Sequence, residues 1–472
     1  MSSKYKKLFQ NTILFSIGSM GSKLISLLLV VVFTHHINPQ EYGEVELISV
    51  IINLCLPFVT LSIYDAVLRF VMKDNENKGS VLLNGIAICV VVGLTFIAGS
   101  VVGILFWGLG INTLVIAAII FAQSINLVFA QYARGIGRIK LYVVNGLLTA
   151  ILIFSIVSVL LIYFHVGIMG YFIGMVISFS ISNVILFFFS GNITKTLAKA
   201  PWDRDLMKRM LLYSLPLIPN TLMFWVMDTS DRLLIQSFLG LAANGYYAVA
   251  NKIPVILNTL SSIFMQAWQL TAIEEGEQKG RDRFYSSVFN ALSSFMIIIS
   301  ALILCILKWG FAMGLGSQFY EAWKFVPIQL FTVIFASFSN FLGVIYTVQM
   351  RTSYVFITSF VGTTLNIGLN FLLIPRIGLY GAAIATTISF LSVWLVRLLQ
   401  TRKYVKISIQ FMTLIPALAI LAVQALSLYQ TKVPDILTNT LALSALFLIN
   451  LRNIQFIMHN LVTKKRRKSD IA

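Results

Sequence analysis

Charged side chains are scarce in this sequence. Asp, Glu, Lys and Arg make up 11% of its 472 residues, while 58% belong to the hydrophobic set; soluble domains carry about 25% charge. So few charges cannot cover a water-facing surface on a chain of this length, so the solvent is lipid and a soluble enzyme is excluded. Cysteine is rarer still. Cys55, Cys89 and Cys305 sit in apolar stretches and form no CxxC pair, which argues against a disulfide framework or a thiolate zinc site. Of the four histidines, His35 and His36 are adjacent and point to different sides of a helix, and His165 and His459 are isolated. No metal or other cofactor is expected. "GSMGSK" at 18–23 lacks the GxxxxGK[ST] spacing of a phosphate-cradling loop and lies inside an apolar run, so no nucleotide-driven pump is expected. The longest external connection, 309–321, has one acid, Glu321, leaving little place for extramembrane catalysis. The chain reads as a non-enzyme.

What is present is basic charge, a net +18. Nucleic-acid binding would need a basic patch on a folded soluble face. Here the cations come instead in short clusters between long apolar stretches, the signature of cytoplasmic loops. Lys4, Lys6 and Lys7 precede an apolar run that continues to Val32 without a small-residue cleavage site. It reads as a first transmembrane helix that stays attached, not as a removed signal.

A span needs roughly 20 apolar residues to cross about 30 Å of hydrocarbon. Fourteen segments qualify, near residues 11–35, 43–68, 80–107, 112–134, 140–164, 168–191, 208–237, 242–271, 284–308, 322–348, 353–374, 379–401, 408–428 and 436–454. With the N-terminus in the cytoplasm, the inward connections, both termini and their flanks collect 28 of the 35 basic residues. Only Lys308, Lys324, Arg376 and Lys432 fall outside, and Lys23, Arg232 and Lys252 lie within spans. This asymmetry sets the orientation and places both termini inside.

The chain also repeats itself. Gly167, Gly170 and Ser178 in "HVGIMGYFIGMVIS" recur as Gly378, Gly381 and Ser389 in "RIGLYGAAIATTIS", displaced by 211 residues. "EYGEVELISVI" around Gly43 is echoed by "NGYYAVANKIPVI" around Gly245. Six spans are an even number, so both halves insert with one orientation and form a parallel repeat. The expected fold is therefore an all-α integral membrane protein of about 14 transmembrane helices. It has an N-terminal six-helix lobe (1–191), a basic cytoplasmic linker with Pro201 and Trp202 (192–207), and a C-terminal six-helix lobe (208–401). An extra helix pair and a basic tail (402–472) follow.

Polar stripes mark candidate functional residues. Thr12, Ser16, Ser19, Lys23 and Ser26 share one helical face. A mid-span lysine costs roughly 2.5–3.5 kcal/mol on insertion scales, so Lys23 either faces protein or water with an anionic partner or snorkels from a packed helix interface. The second span repeats the pattern with Glu46, Asn53, Pro57, Thr60 and Tyr64, and Asp65 and Arg69 have i, i+4 pairing spacing. In the seventh span Pro216 and Pro219 break the helix early, Asp228 and Arg232 are spaced to neutralise each other, and Asp231 needs another partner or lies at the external end in water. In the eighth, Asn251, Asn258, Ser262 and Gln269 form one stripe and Lys252, Thr259 and Gln266 another; one faces a cavity and the other packs. Ser359, Thr363, Asn366 and Asn370 form a stripe in the eleventh span that either lines a cavity or glues helices. Together these stripes suggest a central aqueous cleft in which Lys23, Arg232 and Lys252 meet a phosphate or carboxylate.

"NTILFSIGSMGSKLISLLLVVVFTHHINPQEYGEVELISV", "YSLPLIPNTLMFWVMDTSDRLLIQSFLGLAANGYYAVANKI" and "LNFLLIPRIGLYGAAIATTIS" resemble the Wzx-type polysaccharide-export flippases of the multidrug/oligosaccharidyl-lipid/polysaccharide superfamily. The likeness spans the chain and rests on glycine, proline and polar positions. It implies a V-shaped, two-lobed flippase of the bacterial cytoplasmic membrane, moving a polyprenyl-diphosphate-linked oligosaccharide for O-antigen or capsule synthesis by alternating access. It further implies basic lumen residues, a role that Lys23, Arg232 and Lys252 fill, with Asn251, Glu46 and Asn53 beside them. A polysaccharide polymerase and chain-length machinery are the protein partners this implies. Without a nucleotide site, resetting draws on a proton or Na⁺ gradient or on substrate consumption; Asp231 is the preferred coupling carboxylate, with Asp228 and Asp65 neutralised by Arg232 and Arg69. The alternatives are an ion-coupled multidrug exporter of the same superfamily, against which Lys23 and the extra helix pair argue, and a membrane polysaccharide polymerase.

Overall fold

The computed structural model describes residues 3–451 except 73–75, 109, 111, 191–192, 199, 275–279, 350 and 431–437. Among the described residues the regular elements are all helices. The first part comprises α1 (Ser3–His36), α2 (Pro39–Thr60), α3 (Ile63–Val71), α4 (Lys78–Trp107), α5 (Asn112–Gly135), α6 (Ile139–Ile162) and α7 (Ile168–Phe189). After the short α8 (Ile193–Ala198) come α9 (Arg204–Ser214), α10 (Leu217–Leu239), α11 (Leu241–Glu274), α12 (Arg281–Gly314) and a 3-10 helix, Ser317–Phe325. The remainder is α13 (Val326–Val348), α14 (Thr352–Ile377), α15 (Leu379–Thr401), α16 (Phe411–Ser427) and α17 (Thr438–Leu451).

Eleven of these helices are long and apolar enough to cross a membrane, and they occupy the first six and the eighth to twelfth of the expected positions. The protein is thus a multi-pass membrane protein. The shorter apolar helices α16 and α17 stand at the thirteenth and fourteenth. The expected seventh span, 208–237, is divided. Residues up to Ser214 belong to α9, and α10 begins at Leu217, just past Pro216, whose ring cannot continue a helix.

Local chemistry sets the ends. Pro39 occupies the first turn of α2, and Asn38 and Glu41 form a reciprocal capping box, each side chain bonding the other's backbone N–H at 2.9 Å. Asn77 caps α4 and Asp203 caps α9. The second span is broken after Pro57: Leu61 and Ser62 both take left-handed conformations, φ 48° and 49°, and Ser62 N–H returns to the Pro57 carbonyl before α3 starts.

The chain forms two compact units, Met1–Leu233 and Leu234–Ala472. This division falls inside α10 and not at 192–207, for an identifiable reason. Leu206 and Met210 of α9 join a core with Ile63, Val67, Leu82 and Leu186. Ser80 Oγ donates to Pro201 O at 2.8 Å, Asn84 Nδ2 to Asp203 O at 2.9 Å, and Arg209 forks onto the Glu76 carboxylate at 2.7 and 3.3 Å. The amphipathic connection is thereby tied to the first unit.

The repeat seen in the sequence is present in the backbone. Gly167 and Gly378 precede α7 and α15 with φ/ψ of 63°/−149° and 62°/−140°, a region open to glycine alone. Three residues on, Gly170 N and Gly381 N donate to their carbonyls at 3.0 and 2.9 Å. Ser178 and Ser389 are both buried and bond the carbonyl four residues back.

Candidate functional site

In the first unit, α1 lies against α6 through its glycines. A Cβ at Gly18 would meet Val143 Cγ1 at 2.4 Å, and one at Gly21 would meet Leu147 at 2.8 Å. That packing turns the opposite side outward, and Ser19, Lys23 and Ser26 are all exposed there. Thr12 lies among residues whose side chains are not described.

α2 supplies the acid. Glu46 is 8% exposed and forms an ion pair with Arg232 Nη1 of α10. In a low-dielectric surrounding the attraction between the two charges offsets part of the desolvation cost that each bears. Asn53 is exposed and donates to Ser49 O within its own helix at 2.8 Å. Arg232 thus has a partner on another helix; the Asp228 side chain, and with it the expected Asp228–Arg232 neutralisation, lies outside the described residues. Asp231 is half-buried one residue before Arg232. Asp65 and Arg69 do not form the expected i, i+4 pair: Arg69 is exposed, and Arg134 of α5 is the cation whose field reaches half-buried Asp65.

In the second unit, Asn258, Ser262 and Gln269 of α11 are exposed, whereas Asn251, Lys252 and Thr259 are half-buried; the Gln266 side chain is outside the described set. The α14 stripe is spent on packing. Asn366 Nδ2 donates to Thr386 Oγ1, Asn370 Nδ2 to Asn366 Oδ1, and Ser359 Oγ accepts from Arg397 Nη2, each at 3.0 Å. It is helix glue, not a cavity lining. Among the described residues no three His, Cys, Asp or Glu side chains gather into a metal site.

Sequence reasoning missed two features. Arg397 of α15, counted only among flanking cations, is 4% exposed and wholly engaged with neutral oxygens. Its Nε donates to Thr358 Oγ1 and Nη1 to Ser339 O, both at 2.9 Å, while Nη2 also faces Val355 O at 3.4 Å. One guanidinium fork therefore ties α13, α14 and α15 together. In the first unit, Asn126, Asn145, Thr149, Ser182 and Asn183 form a buried network across α5, α6 and α7. It includes Asn126 Nδ2 to Ser182 Oγ and Ser182 Oγ to Asn145 Oδ1, both at 2.7 Å. The 211-residue displacement carried a signal for Arg397, since it sets that arginine opposite Leu186.

Among the described residues, the first unit thus presents an exposed lysine on a polar helix face and a Glu–Arg ion pair, each on a helix of apolar composition.

Comparison with solved structures places this helical arrangement. The chain is similar to "Lipid II flippase MurJ, inward closed conformation", with a TM-score of 0.65 and 15% identity over 95% of this chain and 100% of that one. It is also similar to an inward-facing multidrug resistance MATE family transporter of the MOP superfamily, with a TM-score of 0.65 and 14% identity over 83% and 97%. A third likeness is to a MOP superfamily transporter from Pyrococcus furiosus, with a TM-score of 0.54 and 13% identity over 83% and 94%. At these identities the likeness is one of fold. No curated protein matches in sequence. Residues 8–269, more than half of the chain, match the family model described as "Polysaccharide biosynthesis protein", and the chain belongs to that family.

Proposed function

We propose that this protein flips polyprenyl-diphosphate-linked oligosaccharide repeat units from the cytoplasmic to the external leaflet of a bacterial cytoplasmic membrane, supplying surface polysaccharide such as O-antigen or capsule. The observation that carries the reading is Lys23. It is displayed beside Ser19 and Ser26 on the face of α1 turned away from α6, within a chain of the polysaccharide biosynthesis family. A diphosphate entering an apolar span needs charge-assisted contacts to offset its desolvation. Lys23 supplies one. Arg232 supplies a second once the diphosphate competes with Glu46 for its guanidinium. The lipid tail stays in the bilayer, so only the polar head crosses.

Alternating access requires two states whose balance an ion or substrate shifts. Asp231, half-buried beside Arg232, is the carboxylate we assign to proton or Na⁺ coupling. Both termini face the cytoplasm in this reading, and the polymerase and chain-length machinery receive the product outside. The test is a deletion strain. It should accumulate lipid-linked repeat units on the inner leaflet and lose surface polymer, both restored by the gene. Normal surface polymer without accumulation would overturn the proposal.

A further inference from the structure

Between α15 and α16 the chain runs as an extended strap in which Val405, Ile407 and Ile409 are buried and Lys406, Ser408 and Gln410 are exposed. This is the period-two alternation of a strand with one covered face. Side chains of α12 take the place of a neighbouring strand. Ser408 N donates to Ser286 Oγ at 2.8 Å, Asn290 Nδ2 donates to Ser408 O at 3.2 Å, and Asn290 Oδ1 accepts from Gln410 N at 3.2 Å. Arg281 Nη2 secures the near end on Tyr404 O at 2.7 Å.

This fixing has two consequences. Arg402, Lys403 and Lys406 are all exposed, and residues 402–413 contain no acid. Asp282 stands at the start of α12, the helix that holds the strap, and the strap itself carries basic charge with no acid of its own. Directly beyond it lies a cavity of about 510 Å³, lined by Ser408, Ile409, Gln410, Phe411, Met412, Thr413 and Ile449. Its wall is part apolar, and Met412 is 94% exposed. Lys406 stands two strand residues, about 7 Å, from the rim residue Ser408.

Cations at one edge and an apolar wall at the other match one kind of molecule. We propose that the strap and this cavity bind an anionic glycerophospholipid of the adjoining leaflet. Its phosphate lies at Lys406, Lys403 and Arg402, and an acyl chain lies over Ile409, Phe411, Met412 and Ile449. A zwitterionic lipid would gain no net charge attraction there, and free phosphate would leave the apolar wall uncovered. The site is independent of the transport reading and does not use the cations that follow α17 in the sequence.

The test uses the purified full-length protein in detergent, titrated with phosphatidylglycerol, phosphatidylcholine or inorganic phosphate, with binding read by native mass spectrometry and melting temperature. Phosphatidylglycerol should bind and raise the melting temperature, and the other two should not. At roughly one kilocalorie per cation near an anionic headgroup, R402Q/K403Q/K406Q should weaken phosphatidylglycerol binding about a hundredfold. That variant should melt as wild type without lipid, which separates lost binding from lost folding. Removal of residues 464–472 should leave the affinity unchanged, and short-chain phosphatidylglycerol should bind more weakly than the long-chain lipid. Equal binding of phosphatidylcholine, full competition by phosphate, or undiminished binding by the triple variant would overturn the site. So would loss of binding on tail removal, or indifference to chain length.

Discussion

The guanidinium of Arg397 fills the space that a side chain at Gly343 would take: a Cβ there would stand 2.9 Å from Nη1. At the same displacement of 211, the first half has Tyr132 and Leu186, both buried in one core cluster. A large–apolar pair in one repeat thus corresponds to a glycine–arginine pair in the other, the longer side chain having changed helix and gained a charge. Gly343→Ala should destabilise by about 1–3 kcal/mol through overpacking. Arg397→Leu should cost about 3 kcal/mol by stripping Ser339, Thr358 and Ser359 of their donor. The double variant G343Y/R397L should recover part of that loss, measured as melting temperature in detergent. A double variant no more stable than R397L would refute the volume exchange.

Breaking the Glu46–Arg232 pair should be costly in either direction. Arg232→Ala leaves a buried carboxylate alone and should destabilise by about 3–5 kcal/mol. Glu46→Gln keeps shape and hydrogen bonding and should cost less. The charge-exchanged E46R/R232E should regain stability but not transport, because the cation then sits on a different helix. Restored transport in that variant would show that only the pair matters, not the side that carries the positive charge.

Lys23 should matter for transport and little for stability, since its side chain is exposed and its helix is held by Gly18 and Gly21. Lys23→Ala should abolish export at normal membrane abundance, and Lys23→Arg should retain part of it. The readout is accumulation of lipid-linked repeat units in the complemented deletion strain, and full export by the alanine variant would remove Lys23 from the site.

Orientation is open to a labelling experiment in a background without the three native cysteines. Ala198→Cys, exposed after the sixth span, should resist an impermeant thiol reagent in intact cells and react in inverted vesicles. Gln40→Cys and Gln430→Cys should react in intact cells. The reverse pattern would invert the topology.

Asp231→Asn keeps size and hydrogen bonding while removing titration. In proteoliposomes it should retain downhill flipping and lose stimulation by an imposed proton or Na⁺ gradient. Unchanged stimulation would exclude Asp231 as the coupling group.

The sequence carried the helical class, eleven of the fourteen span positions and the glycine repeat, because hydrophobic run length and glycine spacing are written directly in the chain. The polar face of α1 that carries Lys23 was legible because one-face periodicity locates a polar stripe, and Gly18 and Gly21 pack on the other side. Pairings were harder. The i, i+4 rule offered Arg69 to Asp65, yet the cation whose field reaches Asp65 is Arg134 of α5, and Arg232 has a partner, Glu46, that the rule does not name; local spacing holds no information about helix neighbours. The Ser359–Asn370 stripe illustrates the same limit, since a polar stripe looks alike whether it meets water or another stripe. Arg397 escaped because its position near a span end made it look like one more loop cation.

The break between α2 and α3 bears on how the protein is made. Leu61 and Ser62 each hold a left-handed conformation that disfavours L-residues by about 1–2 kcal/mol, so a newly inserted second span has a lower local energy as one straighter helix. What enforces the bend is the finished lobe, where Ile63, Ala66 and Val67 are fully buried beneath α4 and α5. The angle of the second span is therefore acquired late in biogenesis, after the third and fourth spans have entered the membrane, and a chain truncated before them would leave that span straight.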